Sequence, residues 1–239
     1  IWELVTDVLK IVSPFMLPSP LKVMNTFIYK LTGGTTPDGA NLIQHILASL
    51  KIALGGYAVG VFIGVPLGIA MAWSRKFEMF AMPLFNLIRP VPALAWIPLM
   101  ILWLGIGYLS KVGIIFFAAF ISATINSYTG IKKTNQVHLW VARTFGATNR
   151  QMLFKVAIPT ALPMIFTGLR LALGSSWVAL VAAEMLAATR GVGYMIYVGR
   201  MLGRPDIIIV GMITIGGIGL IMSYGLEKLQ RKYIGRGRK

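Results

Sequence analysis

Five long stretches with almost no charge set the first constraint on this chain. Ile52 to Trp73 holds no charged residue, and neither do Val112 to Ile131 or Ile207 to Leu226. Pro83 to Gly105 is interrupted by Arg89 and by Pro90, Pro92 and Pro98, and Thr160 to Ala188 contains Arg170 and Glu184. Each is long enough to cross a bilayer, which takes about 20 mainly apolar residues. Backbone polar groups in hydrocarbon must be satisfied within the segment, so all five spans are expected to be helices. The fold class is then all-α, a polytopic transmembrane helical bundle.

Composition agrees. The 239 residues are 56% hydrophobic and only 13% charged, with a mean hydropathy of +0.75. A soluble domain carries about 25% charged residues. Cysteine is absent, which removes disulfides, thiolate nucleophiles and cysteine-held metals. His45 and His138 are the only histidines and are far apart, so neither is assigned a catalytic or metal-binding role. A net charge of +16 would point to nucleic acid in a soluble protein, but here the lysines and arginines cluster between apolar runs. Lipid membrane is the expected partner, not nucleic acid.

The distribution of those clusters sets orientation. Arg75, Lys76, Lys132, Lys133, Arg143, Arg150 and Lys155 fall on one side, with Lys228, Arg231, Lys232, Arg236, Arg238 and Lys239 in the tail. Lys10, Lys22, Lys30, Lys111, Arg190, Arg200 and Arg204 fall on the other. By the positive-inside rule the richer side is cytoplasmic, so the C-terminus is expected inside and Ile1 outside. Residues 1–51 read as an extracytoplasmic or interfacial leader and loop, in which Pro20 can open a helix. Residues 52–239 read as the transmembrane domain. In the first span Gly56, Gly60, Gly64 and Gly68 recur every four residues, forming a ridge where another helix can approach closely.

The connection between the third and fourth spans, about 131–159, is too long for a simple helical hairpin. Thr134 or Asn135 can cap a helix running through Phe145, and Gly146 is placed to end it. Thr148-Asn149-Arg150-Gln151 reads as a capping box opening a second helix toward Val156, before Pro159 and Pro163 return the chain to the membrane. A helix, a glycine turn and a helix with Arg143, Arg150 and Lys155 exposed reads as a docking element for a cytoplasmic partner.

Here the sequence resembles a known family. Ala142-Arg143-Thr144-Phe145-Gly146-Ala147, followed by Val156-Ala157-Ile158-Pro159, is similar to the EAA signature of ABC importer permeases. Trp140 stands where that signature has Glu, and Val141 at its first alanine. The resemblance extends to Leu17-Pro18-Ser19-Pro20, Arg89-Pro90-Val91-Pro92, Gly168 to Ala172, Trp177, Ala183-Glu184 and Gly191-Val192-Gly193-Tyr194, which resemble the nitrate/sulfonate/taurine-type subgroup. It implies a type I importer permease in a bacterial inner membrane, with one further span ahead of Leu17. It also implies a homodimer, two ATP-binding subunits and an extracytoplasmic solute-binding protein. Ala142, Arg143, Gly146, Ala147, Arg150, Val156 and Pro159 would form the coupling element. No G-x-x-x-x-G-K-[ST] loop is present, so ATP and Mg would be bound by the partner ATPase, with no cofactor and no catalytic residue in this chain. A sulfonate-like organic anion is the expected solute.

Charged residues within spans are costly unless they face protein or water. Arg89, Arg170 and Glu184, together with Trp96, Asn126 and Trp177, are the candidates for the translocation path. Arg170 and Glu184 are about 21 Å apart along a helix and cannot pair. Each candidate also has a packing or interfacial reading. An ion-gradient-driven secondary transporter is the alternative function, but it would want paired membrane carboxylates or repeated halves. Only Glu184 is available, and no repeat is evident.

Overall fold

A computed structural model describes residues 2–9 and 12–234. Lys10, Arg236, Arg238 and Lys239, counted above in the charge asymmetry, lie outside them, as does Ile1. The described residues are helical and contain no strand.

Helix α1 spans Pro20–Leu31, with Ser19 as its N-cap and Pro20 in its first turn, where the missing N–H costs nothing. The first span is longer than its uncharged run. Helix α2 covers Leu42–Trp73, beginning at a capping box in which Asn41 and Gln44 exchange side-chain and backbone hydrogen bonds of 2.9 and 3.1 Å. Lys51, where the uncharged pattern stops, is an exposed position inside this helix.

The second span is broken where its sequence is interrupted by Arg89, Pro90 and Pro92. Helix α3, Arg75–Ile88, and helix α4, Ile97–Leu104, are separated by the turn at Arg89 to Pro92 and a single 3-10 turn, Ala93–Trp96. The two halves meet at 79°. The cause is local: Pro90 and Pro92 lack the N–H groups that would continue the ladder.

Helix α5, Tyr108–Lys132, is the centre of the bundle, packed between α2 and the long helix α8, Ile158–Ala187. The glycine ridge of α2 makes this possible. A Cβ on Gly60 would lie 2.6 Å from the Ala119 Cβ, and one on Gly68 only 2.3 Å from the Thr124 carbonyl oxygen. The two backbones are therefore in contact, as small-residue interfaces allow. Helix α6, Gln136–Thr144, and α7, Asn149–Met152, connect α5 to α8, the last through a π-turn at Leu153–Ala157. Helix α9, Val192–Met201, packs on α8 and on α10, Pro205–Ile234. Four helical segments are long and apolar enough to cross a membrane, five if the bent α3–α4 pair counts as one.

Candidate functional site

The α6–α7 segment is built by local hydrogen bonds. The Asn135 side chain accepts the Val137 N–H at 2.9 Å and starts α6. At the other end Gly146 adopts φ +77°, a conformation that costs other L-residues about 1–2 kcal/mol. The Gly146 N–H then donates to the Arg143 carbonyl at 2.9 Å and the Ala147 N–H to the Ala142 carbonyl at 3.0 Å. These two bonds are the Schellman closure of a helix C-terminus. Ala142, Arg143, Gly146 and Ala147 are thus the four residues that make the turn. Thr148 and Gln151 form the expected capping box at 2.8 and 3.3 Å, with Arg150 exposed between them.

Anchoring comes from the far end of the segment. Met152 and Ala157 are buried, and Ala157 joins Ile131, Ala161 and Ile165 in an apolar cluster that Val65 and Trp73 of α2 also touch. Val156 is half-buried, and Pro159 sits exposed in the first turn of α8. By contrast α6 buries none of its residues. Trp140 is 62% exposed and Phe145 87%. An ordered turn that leaves aromatic side chains and cations exposed has the chemistry of a protein-binding surface.

The six candidates for the path do not converge. Arg89 caps the C-terminus of α3 at the break, and lines a cavity of about 390 Å³ together with Pro92, Ser122 and Ser175. None of the other five lines it. Among the described residues no carboxylate stands within salt-bridge distance of Arg89. Trp96 stacks on Phe117, centroids 4.4 Å apart and planes within 7°. Asn126 donates to its own helix at the Ser122 carbonyl, and its Cβ lies against Gly168 of α8. Arg170 donates to Gln230, and Trp177 Nε1 to the Ile215 carbonyl at 3.1 Å, so both join α8 to α10.

Glu184 is 1% exposed and belongs to a buried network that sequence reasoning did not assemble. It accepts from the Ser49 hydroxyl at 2.8 Å and from the Gly193 N–H at 2.9 Å. Ser49 in turn accepts the Val192 N–H at 2.9 Å, and His45 Nδ1 accepts the Gly191 N–H at 3.1 Å. The first N–H groups of α9, which its own helix cannot satisfy, are therefore held by side chains of α2 and α8. Accepting at Nδ1 leaves the His45 proton on Nε2, which faces Asp38 Oδ2 at 3.1 Å. Asp38 also pairs with the buried Lys30. Burial alone would raise the Asp38 carboxyl, but the facing His45 Nε2–H, the hydrogen bond from Lys30 and the Lys30 charge outweigh it and hold it below its ordinary value. The one sequence signal was His45 and Ser49 four apart on one face of an otherwise apolar helix.

Comparison with known proteins identifies the family and the fold. A family model described as binding-protein-dependent transport system inner membrane component matches residues 64–234. The taurine transport system permease protein TauC of Escherichia coli K12 is 39% identical over 97% of this chain and 83% of its own length. An aliphatic sulfonates transport permease of Bacillus subtilis, SsuC, is 33% identical over 98% of this chain and 82% of its own. Among solved structures, the inward-facing MetNI methionine ABC transporter superposes with a TM-score of 0.69 at 17% identity, covering 80% of this chain and 95% of that one. At that identity the likeness is one of fold.

Proposed function

Because the chain belongs to the family of binding-protein-dependent transport system inner membrane components, and so is a multi-pass inner-membrane permease subunit of an ABC importer, we propose that it couples ATP hydrolysis on another polypeptide to the import of a small organic anion. The segment 131–159 is the coupling element, with Ala142, Arg143, Gly146, Ala147, Arg150, Val156 and Pro159 as its functional residues. The single observation that carries this is the exposed Schellman turn at Gly146, closed by its own backbone hydrogen bonds and flanked by exposed aromatic and cationic side chains.

In this reading the working unit is a homodimer of permeases with two ATP-binding subunits and an extracytoplasmic solute-binding protein. ATP and Mg are bound by the ATPase, and this chain performs no chemistry. The C-terminus and the α6–α7 turn lie in the cytoplasm, and the leader ahead of α2 lies outside. Residues 52–239 form the transport domain. The names of the relatives favour taurine or another sulfonate as solute. Within the bundle Arg89 is the residue best suited to meet an anion, because its cavity at the α3–α4 break brings a cation and two serines together. Trp96, Asn126, Arg170 and Trp177 line or brace the path in other stages of the cycle, and Glu184 holds α9 in place behind it.

Alternating access is a population shift of the bundle, driven by different contacts with the ATPase in its two states. Gentle purification from the native membrane, followed by reconstitution, tests the proposal. Expected are a stoichiometric ATPase subunit and taurine uptake that requires ATP. A lone polypeptide that carries taurine on an ion gradient would refute it. In the same vesicles Arg89→Gln should slow uptake while leaving assembly with the ATPase intact.

A further inference from the structure

The coupling element carries an unusual balance of charge. Between 131 and 159 there are five lysines and arginines and not one Asp or Glu. Where the element meets the cytoplasmic ends of α2 and α5, a cavity of about 310 Å³ is lined by Trp73, Lys132, Gln136, Trp140, Arg143 and Asn149. Its charged groups are both cations. Lys132 is already engaged, its Nζ 2.9 Å from Glu78. Arg143, among the described residues, has no carboxylate within salt-bridge distance. Around it stand the amide groups of Gln136 and Asn149 and the exposed indole of Trp140.

We infer that this cavity receives an Asp or Glu side chain of the ATPase subunit, which pairs with the Arg143 guanidinium while Trp140 and Phe145 anchor in an apolar groove beside it. The inference rests on the coupling role proposed above and adds the chemistry of the partner's surface. A guanidinium offers a rigid fork of donors that matches a carboxylate's two oxygens, and the side amides can complete its remaining acceptor sites. Because the element holds no acid, nothing on it repels such a group. The volume leaves room for a carboxylate and a few waters, each taking about 30 Å³. Aromatic anchors around a central charge pair are the composition of a protein interface core, where Trp and Arg carry much of the binding energy. This favours a protein carboxylate over a lipid phosphate. The polarity is also the opposite of what a Glu at position 140 would produce: this chain supplies the cation and the ATPase the anion.

The chain has no native cysteine, so a single probe can be placed cleanly. Gln136→Cys, which leaves Arg143 in place, is cross-linked in the assembled complex and the attached ATPase residue is mapped. Arg143→Glu is expected to weaken association with the ATPase about tenfold or more, Arg143→Lys far less. Reversing an acidic ATPase residue next to the cross-link to Lys should restore Arg143→Glu. If the cross-link forms but Arg143→Glu assembles as the parent does, or no reversal rescues it, the carboxylate pairing is wrong and the coupling role stands. If the Arg143→Glu defect instead follows the phosphatidylglycerol content of the vesicles, the cavity is a lipid site and the inference falls. If neither Gln136→Cys nor Phe145→Cys reaches the ATPase at all, the coupling role itself falls.

Discussion

Ser49 and Glu184 lie 135 positions apart in the chain, yet the Ser49 hydroxyl reaches both carboxyl oxygens of Glu184, at 2.8 and 2.9 Å, in a region closed to solvent. Ser49 at the same time accepts the Val192 N–H, and Glu184 accepts that of Gly193. The pair therefore ties α2 and α8 to the start of α9. Removing either partner strands buried donors at about 1–3 kcal/mol each. Glu184→Ala strands two and opens a void, so it should lower thermal stability in detergent more than Ser49→Ala. The double variant should cost less than the sum, since the two share one network. Strict additivity in the melts would show the contact to be energetically idle.

The glycine ridge makes a second prediction. Gly68→Ala drives a methyl toward the Thr124 carbonyl and must push α2 from α5, costing about 1–3 kcal/mol. Gly216→Ala in α10 meets nothing within 4 Å and should be neutral or slightly stabilising, by less than about 1 kcal/mol. Equal melting temperatures for the two variants would mean that helix propensity, not packing, governs these positions.

Acid should loosen the loop ahead of α2 through Asp38. Its carboxyl lies below its ordinary value in the folded protein, so its contribution is fully present above about pH 4, where an unfolded carboxyl is ionised. That contribution is lost as pH falls through the lowered folded value. Asp38→Asn leaves Lys30 buried without its anion, a loss of about 3–5 kcal/mol near neutral pH. The gap in melting temperature between parent and Asp38→Asn should hold steady from pH 7 to 5 and close below about pH 4. A gap that widens on acidification would contradict this sign.

At the α6–α7 turn, Gly146→Pro cannot adopt φ +77° and loses the N–H that bonds the Arg143 carbonyl. The protein should still insert, because the spans do not depend on the turn. ATP hydrolysis in the reconstituted complex should no longer respond to solute, whereas Gly146→Ala should cost about 1 kcal/mol and leave partial coupling. Normal solute-stimulated hydrolysis in Gly146→Pro would separate the turn from coupling.

Much of this was legible in one dimension because its causes are local. A span is announced by its own lack of charge, since desolvating a backbone requires a continuous helix. The cap at Thr134 or Asn135, which the fold assigns to Asn135, the Gly146 stop and the Thr148 capping box each act within about five residues, so they are legible before the fold is known. The break at Pro90 and Pro92 was marked in the same way, although its 79° angle was not.

Rotation and depth were different. Helix α2 is apolar on nearly every side, so its periodicity does not say which face turns inward, beyond the glycine stripe. The sequence likewise offered Glu184 and Arg89 as equals, two charges in two spans. Only packing decided that Glu184 meets Ser49 and the first turn of α9, while Arg89 faces a cavity. The sequence alone determined the apolar spans, the proline break and the glycine turn at Gly146, because backbone desolvation and capping are short-range. The tertiary structure decided which buried polar groups find one another, because that depends on how uniformly apolar helices are turned and stacked.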